Sequence, residues 1–150
     1  MRRFATAAAA AAAATAFATP AYANETRVEV RGGIVWCCGE SDETIGLAVG
    51  HDYDLGDSLF IGVEGVIDSN FDLDDPVLGV NARLGTKVGE GTKIFALAGY
   101  AHATGVNYDD AVIGAGLQHN LGEKALLSVQ YQRVLDLEVN RALVGFGLRF

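Results

Sequence analysis

Apolar and polar side chains alternate with a period of two through most of this chain, which is the signature of strands with one apolar face. In the last ten residues, Ala142, Val144, Phe146, Leu148 and Phe150 fall on one side of an extended strand, and Arg141, Leu143, Gly145, Gly147 and Arg149 on the other. Near the start, Val28, Val30, Gly32, Ile34 and Trp36 oppose Arg27, Glu29, Arg31, Gly33 and Val35. The same reading sets Ile45, Leu47, Val49 and Tyr53 against Thr44, Gly46, Ala48, Gly50 and Asp52. It sets Leu59, Ile61, Val63 and Ile67 against Phe60, Gly62, Glu64 and Val66, and Leu78, Val80, Ala82 and Leu84 against Gly79, Asn81, Arg83 and Gly85. Later, Ala111, Ile113, Ala115 and Leu117 oppose Val112, Gly114, Gly116 and Gln118, and Leu127, Val129 and Tyr131 oppose Leu126, Ser128, Gln130 and Gln132. The run 93–102 is ambiguous; placing Ile94, Ala96, Ala98 and Tyr100 on the apolar face keeps Lys93 off it and turns Phe95 and Leu97 the other way.

Tight polar turns are expected at 54–57, 88–91 and 120–123, and longer, acidic, irregular connections at 39–44, 68–76, 104–110 and 135–140. Seven connections separate eight strands, an even number and the smallest common one for a membrane barrel. Alternation alone does not say which face meets lipid. The polar face decides, because it carries Glu29, Arg31, Asp52, Glu64, Arg83 and Arg149 together with many glycines. Glycine weakens a solvent-facing strand, whereas the crowded interior of an eight-stranded barrel gains room from it. The chain therefore reads as all-β: an eight-stranded antiparallel up-and-down transmembrane β-barrel, apolar outside and charged within. Its lumen network is expected to include Glu29, Arg31, Glu64, Arg83, Gln130 and Arg149.

The N-terminus fits export. Met1-Arg2-Arg3 is basic, residues 4–19 are alanine-rich and apolar, and Ala21-Tyr22-Ala23 is a small-residue cleavage site. Residues 1–23 are thus expected to be a signal peptide and 24–150 the barrel. After cleavage 19 acids face 9 bases, a balance that excludes a nucleic-acid footprint.

At this point the chain resembles the small outer-membrane β-barrel proteins of the opacity-protein, OmpX and OmpA-barrel type, often grouped as the porin family. The resemblance rests on Val49-Gly50-His51-Asp52-Tyr53-Asp54-Leu55-Gly56, Asn81-Ala82-Arg83-Leu84-Gly85, Ala98-Gly99-Tyr100, Gly114-Ala115-Gly116-Leu117 and the terminal Gly145-Phe146-Gly147-Leu148-Arg149-Phe150. It implies a place in the Gram-negative outer membrane among its lipids and insertion by the barrel-assembly machinery after passage by periplasmic chaperones. It implies that Phe150 belongs to the assembly signal, and it implies no catalytic residues and no cofactor. A monomer is expected.

Other constellations compete with this reading. Cys37 and Cys38 are adjacent, about 3.8 Å apart at Cα, closer than an ordinary disulfide. A vicinal disulfide there would be strained; two unlinked thiols are the alternative. Asp68-x-Asn70-x-Asp72-x-Asp74 begins like a calcium loop, but Leu73 and Gly79 stand where such loops need Gly and Glu. No zinc or haem spacing occurs. The expected outer connections hold 11 acids, from Glu40 to Glu138, with either bridging Mg²⁺ or Ca²⁺ or plain solvation as the outcome. A lipid-modifying enzyme would need a nucleophile beside a base. With the N-terminus periplasmic, His102 falls at the outer end and His51 and His119 at the other, leaving Ser128 without a partner. The expected function is structural, supporting envelope integrity with at most narrow passive permeability. A soluble lipocalin-like binding barrel is the alternative, and it demands an apolar interior.

Overall fold

The computed structural model describes residues 24–69 and 75–150; the expected signal peptide and the acids Asp72 and Asp74 lie outside them. Eight strands follow one another: β1 (Glu25–Cys37), β2 (Glu40–Asp54), β3 (Leu59–Ser69), β4 (Val77–Val88), β5 (Thr92–Ala103), β6 (Tyr108–Leu121), β7 (Ala125–Val134) and β8 (Val139–Arg149). Each pairs antiparallel with its chain neighbour, and β8 pairs with β1 to close the barrel. Closure leaves no free edge, the condition for strands in a medium that offers backbone groups no hydrogen bonds. The strands are 10 to 15 residues long, and a tilted strand needs about 9–11 to cross a bilayer.

The alternation resolves as outside against inside. Val63 and Phe146 are 46% and 56% exposed, while their strand neighbours Glu64 and Leu143 are buried. In β5 the ambiguous run settles with Ile94 and Tyr100 outside and Phe95, Leu97 and Lys93 buried within. The interior is divided into two sectors. β1, β2 and β3 line one with Arg27, Glu29, Arg31, Asp52, Glu64 and Asp68. Phe60 of β3 joins Phe95, Leu97, Ala101, Val112 and Val134 of β5, β6 and β7 in an apolar cluster.

Three expectations about the connections are corrected, one of them Asp110: expected in the outer connection 104–110, it lies in β6, which begins at Tyr108, and is 4% exposed. The stretch 39–44 is not irregular: the β1–β2 ladder continues to Cys37↔Glu40, and only Cys38 and Gly39 turn the chain. Both have positive φ, +57° and +91°, the arrangement of a two-residue hairpin whose twist matches its strands. Asp68, expected in an acidic outer loop, instead lies on the inner face of β3 and is 3% exposed. Its parity with Glu64 and Val66 carries it inward, because β3 extends to Ser69.

The lipid face generates two tests. Val63→Arg is expected to cost about 2–4 kcal/mol in bilayer unfolding titrations, since a charge would sit in hydrocarbon; spin labels at Val63 and Phe146 should be reached by oxygen and shielded from water-soluble relaxers. Phe150 pairs with Thr26 through two backbone bonds, 2.8 and 3.1 Å, at the point where the barrel closes. Deleting it should slow assembly and leave unfolded precursor in pulse-chase experiments, although one exposed residue adds little buried area.

Candidate functional site, the charged lumen

Arg27 is the centre of the interior. Its Nε donates to Glu29 at 2.8 Å, Nη1 to Asp52 at 3.0 Å and Nη2 to Glu64 at 2.5 Å. One guanidinium thus ties β1 to β2 and β3. The planar fork of arginine suits this role, since it offers donors in three directions. Space for it comes from glycine: a Cβ at Gly50 would fall 2.5 Å from the guanidinium, and one at Gly62 would fall 2.2 Å from the Asp52 carboxylate.

Arg83 reaches the same acids more loosely, 3.7 Å from Glu64 and 4.0 Å from Asp52. Its guanidinium carbon lies 3.7 Å from the centre of the Phe95 ring and 5.7 Å from that of Phe60. A cation over aromatic faces gains electrostatically from the ring quadrupole, so Arg83 joins the ionic sector to the apolar one. Gln118 accepts a hydrogen bond from its Nη2 at 3.2 Å, while its buried Nε and Nη1 have no hydrogen-bond partner among the described residues.

Further ionic layers lie above and below. At the end carrying the termini, Glu25 accepts from Lys93 at 2.9 Å, Gln118 at 2.7 Å and Arg149 at 2.5 Å, and Lys93 also donates to Asp52. A vestibule of about 660 Å³ opens at this end; its lining reaches Glu25 and Lys93 and includes none of Arg27, Asp52 or Glu64. Toward the other end, Asp68 receives two bonds from Arg31, 2.8 and 2.5 Å, and one from Arg141 at 3.1 Å. Ser128 donates to Glu29 at 2.6 Å.

The six residues expected in the lumen network occupy different positions. Glu29 and Glu64 flank Arg27, Arg31 belongs to the Asp68 layer, and Arg83 sits against the two phenylalanines. Gln130 is buried but bonds only Gln132 among the described contacts, at 3.0 Å. Arg149 stands at the vestibule, partly exposed. Asp52, read from the sequence as an inner-face charge, joins this network, and so do Arg27, Asp68, Lys93, Gln118 and Arg141, which the sequence did not mark as members. Parity was the available signal for each, though for Asp68 it counts only because β3 extends to Ser69.

The histidines face outward or lie at the ends, each tied to a neighbouring strand. His51 and His119 bond Thr26 and Thr92 at 2.7 and 2.8 Å, and His102 bonds Asp109 at 2.6 Å. Ser128 contacts an acid and none of them. Cys37 and Cys38 carry separate thiols. The acids of the loop end are also sorted: Asp110 is buried and accepts from the backbone of Asp136 and Leu137, stitching the β7–β8 connection to β6.

Removing Arg27 would leave three buried carboxylates with too little positive charge. Arg27→Met is expected to cost about 3–5 kcal/mol in bilayer unfolding titrations. Adding Glu64→Gln should recover part of it, because the coupling of a shared network makes the two changes non-additive.

The interior is thus charged and the exterior apolar, the reverse of a soluble binding barrel. Comparisons with known proteins agree. Solved structures of similar fold include the N-terminal β-barrel domain of Pseudomonas aeruginosa OprF (20% identity, TM-score 0.61, covering 84% of this chain and 97% of that one). They also include Neisserial surface protein A (13%, 0.60, 87% and 98%) and Ail, the attachment invasion locus protein of Yersinia pestis (15%, 0.58, 85% and 98%), the latter solved with the heparin analogue sucrose octasulfate. No curated protein sequence matches the chain. The family model of the outer membrane protein beta-barrel domain matches residues 5–150, and the chain belongs to that family.

Proposed function

We propose that this barrel is a structural component of the Gram-negative outer membrane, supporting envelope integrity with its lumen closed to all but the narrowest passive leak. The observation that carries this is the ion-pair lattice around Arg27, which spans the interior where a pore would need open water. An eight-stranded barrel has room for little beyond its own side chains, and here they are mutually bonded from Glu25 to Asp68. No catalytic role is assigned: Ser128, a buried hydroxyl beside a carboxylate, bonds Glu29 inside this lattice.

The surface at the loop end weighs against one activity suggested by a structural neighbour. Ail was solved with a sulfated sugar analogue, and a polyanion needs cations. In this chain that end presents Glu40, Asp42, Glu43, Asp75, Asp109, Asp136 and Glu138. The basic groups beside them, Arg133 and His102, are already paired with Glu138 and Asp109. Such a surface repels sulfated chains.

The test is reconstitution in planar bilayers, with deletion of the gene in parallel. Expected are no sustained channel currents, retention of small sugars by loaded liposomes, and a deletion strain with heightened detergent sensitivity restored by the wild-type chain. Steady open-channel currents from the wild-type protein would refute the closed lumen, and an unaltered deletion strain would refute the envelope role.

A further inference from the structure

The tip of the β1–β2 hairpin carries the only two thiols of the chain, and they are consecutive. Cys38 occupies the first central position of the two-residue turn at φ +57°. Asn, Asp and Gly are the residues that suit this position, and a left-handed backbone is a strained setting for other side chains. Turn formation therefore gives no reason for cysteine here. Cys38 is exposed, Cys37 half-buried, and neither is in a disulfide. The Cys37 thiol lies beside that of Cys38, with the carboxylates of Glu40 on β2 and Glu138 from the β7–β8 connection near it.

The donor set selects a class of ion. Calcium and magnesium require six or more oxygens, and structural zinc requires four ligands. Among the described residues no group of three or more His, Cys, Asp and Glu side chains is arranged to hold a metal. Two sulfurs are nevertheless a complete set for closed-shell d¹⁰ ions that accept linear two-coordination, and thiolates are the ligands that soft ions of this kind prefer. We propose that the Cys37–Cys38 tip binds one thiophilic d¹⁰ cation of the Cu⁺, Ag⁺ and Hg²⁺ class between its two thiolates, at the end of the barrel opposite the termini.

Loading breaks two S–H bonds and forms two S–metal bonds; both protons leave to solvent and no electron is transferred. A monovalent ion leaves a dithiolate complex of charge −1, and a divalent ion leaves a neutral one. Beside Glu40 and Glu138 the neutral complex is the less opposed, so Hg²⁺ is the sharper probe. The Glu40 carboxylate also raises the local concentration of any arriving cation, whereas that of Glu138 is paired with Arg133.

The experiment uses the full barrel, folded in nanodiscs and reduced, with one equivalent of Hg²⁺. Native mass spectrometry should show one mercury gained and two protons lost per chain, with a thiolate-to-mercury absorption band in the ultraviolet. Under glutathione challenge the wild type should keep the metal, while Cys37→Ser and Cys38→Asn release it at a competitor concentration lower by on the order of 10²-fold, the advantage of intramolecular chelation. Asn is chosen at 38 because it accepts a left-handed backbone, so loss of binding reports the thiol and not the turn. Both variants should retain the heat-modifiable mobility of the folded barrel on gels. Equal retention by either single-thiol variant would overturn the proposal. So would mercury linking two chains, or recovery of the pair from cells as a disulfide.

Discussion

A single guanidinium with three carboxylates around it is the constraint on which this barrel depends. Arg27 is wholly buried, as are Glu29, Asp52 and Glu64, and removing such charges from water costs several kcal/mol per ion unless their bonds are nearly ideal. That demand propagates into the sequence. Gly50 and Gly62 give the guanidinium and Asp52 their space, and Gly145 does the same for Glu29, since a Cβ there would fall 2.5 Å from its carboxylate. Glycines that would weaken a solvent-exposed sheet are the means by which β2, β3 and β8 approach a charged core.

The outside obeys a different economy of contacts. Ile34, Leu47, Val63, Val144 and Phe146 need only be apolar, because lipid accepts any shape that packs loosely against it. The inside demands particular partners at particular distances. Specificity in this fold therefore resides on the polar face, the opposite of a soluble protein. The division of the lumen into an ionic and an apolar sector follows the same logic, with Arg83 as the residue that belongs to both.

Parity made most of this visible from the sequence. Eight runs, the outward face of each and the glycine-rich charged interior all follow from a period of two. Even the ambiguous β5 settles as expected, because Lys93 has acids to meet inside and none in lipid. What parity could not supply was where a strand stops. Asp68 looked like the first acid of a loop, since the sequence after it continues in acids; only the extension of β3 to Ser69 shows that it pairs with Arg31 and Arg141. The hairpin at Cys38–Gly39 was hidden for a related reason. Ser41, Asp42 and Glu43 are polar enough to look like loop, yet they are held extended by the strand opposite. Partner choice was likewise illegible: which acid meets Arg27 depends on the stagger between strands, and a one-dimensional pattern contains none of that.

The seam between β1 and the last strands has one more property. Three bonds reach around it: Glu25 to Arg149, Asp68 to Arg141, and Glu29 to Ser128. Each joins side chains far apart in sequence, so none forms until the two ends of the sheet meet. Before that moment these charges are hydrated. Afterwards, parting β1 from β8 within the bilayer would present bare ions to hydrocarbon. The seam thus acts as a ratchet: once it is closed, the absence of water around it resists reopening. A barrel of this kind owes its endurance in the membrane to the height of an unzipping barrier as much as to the depth of its native well.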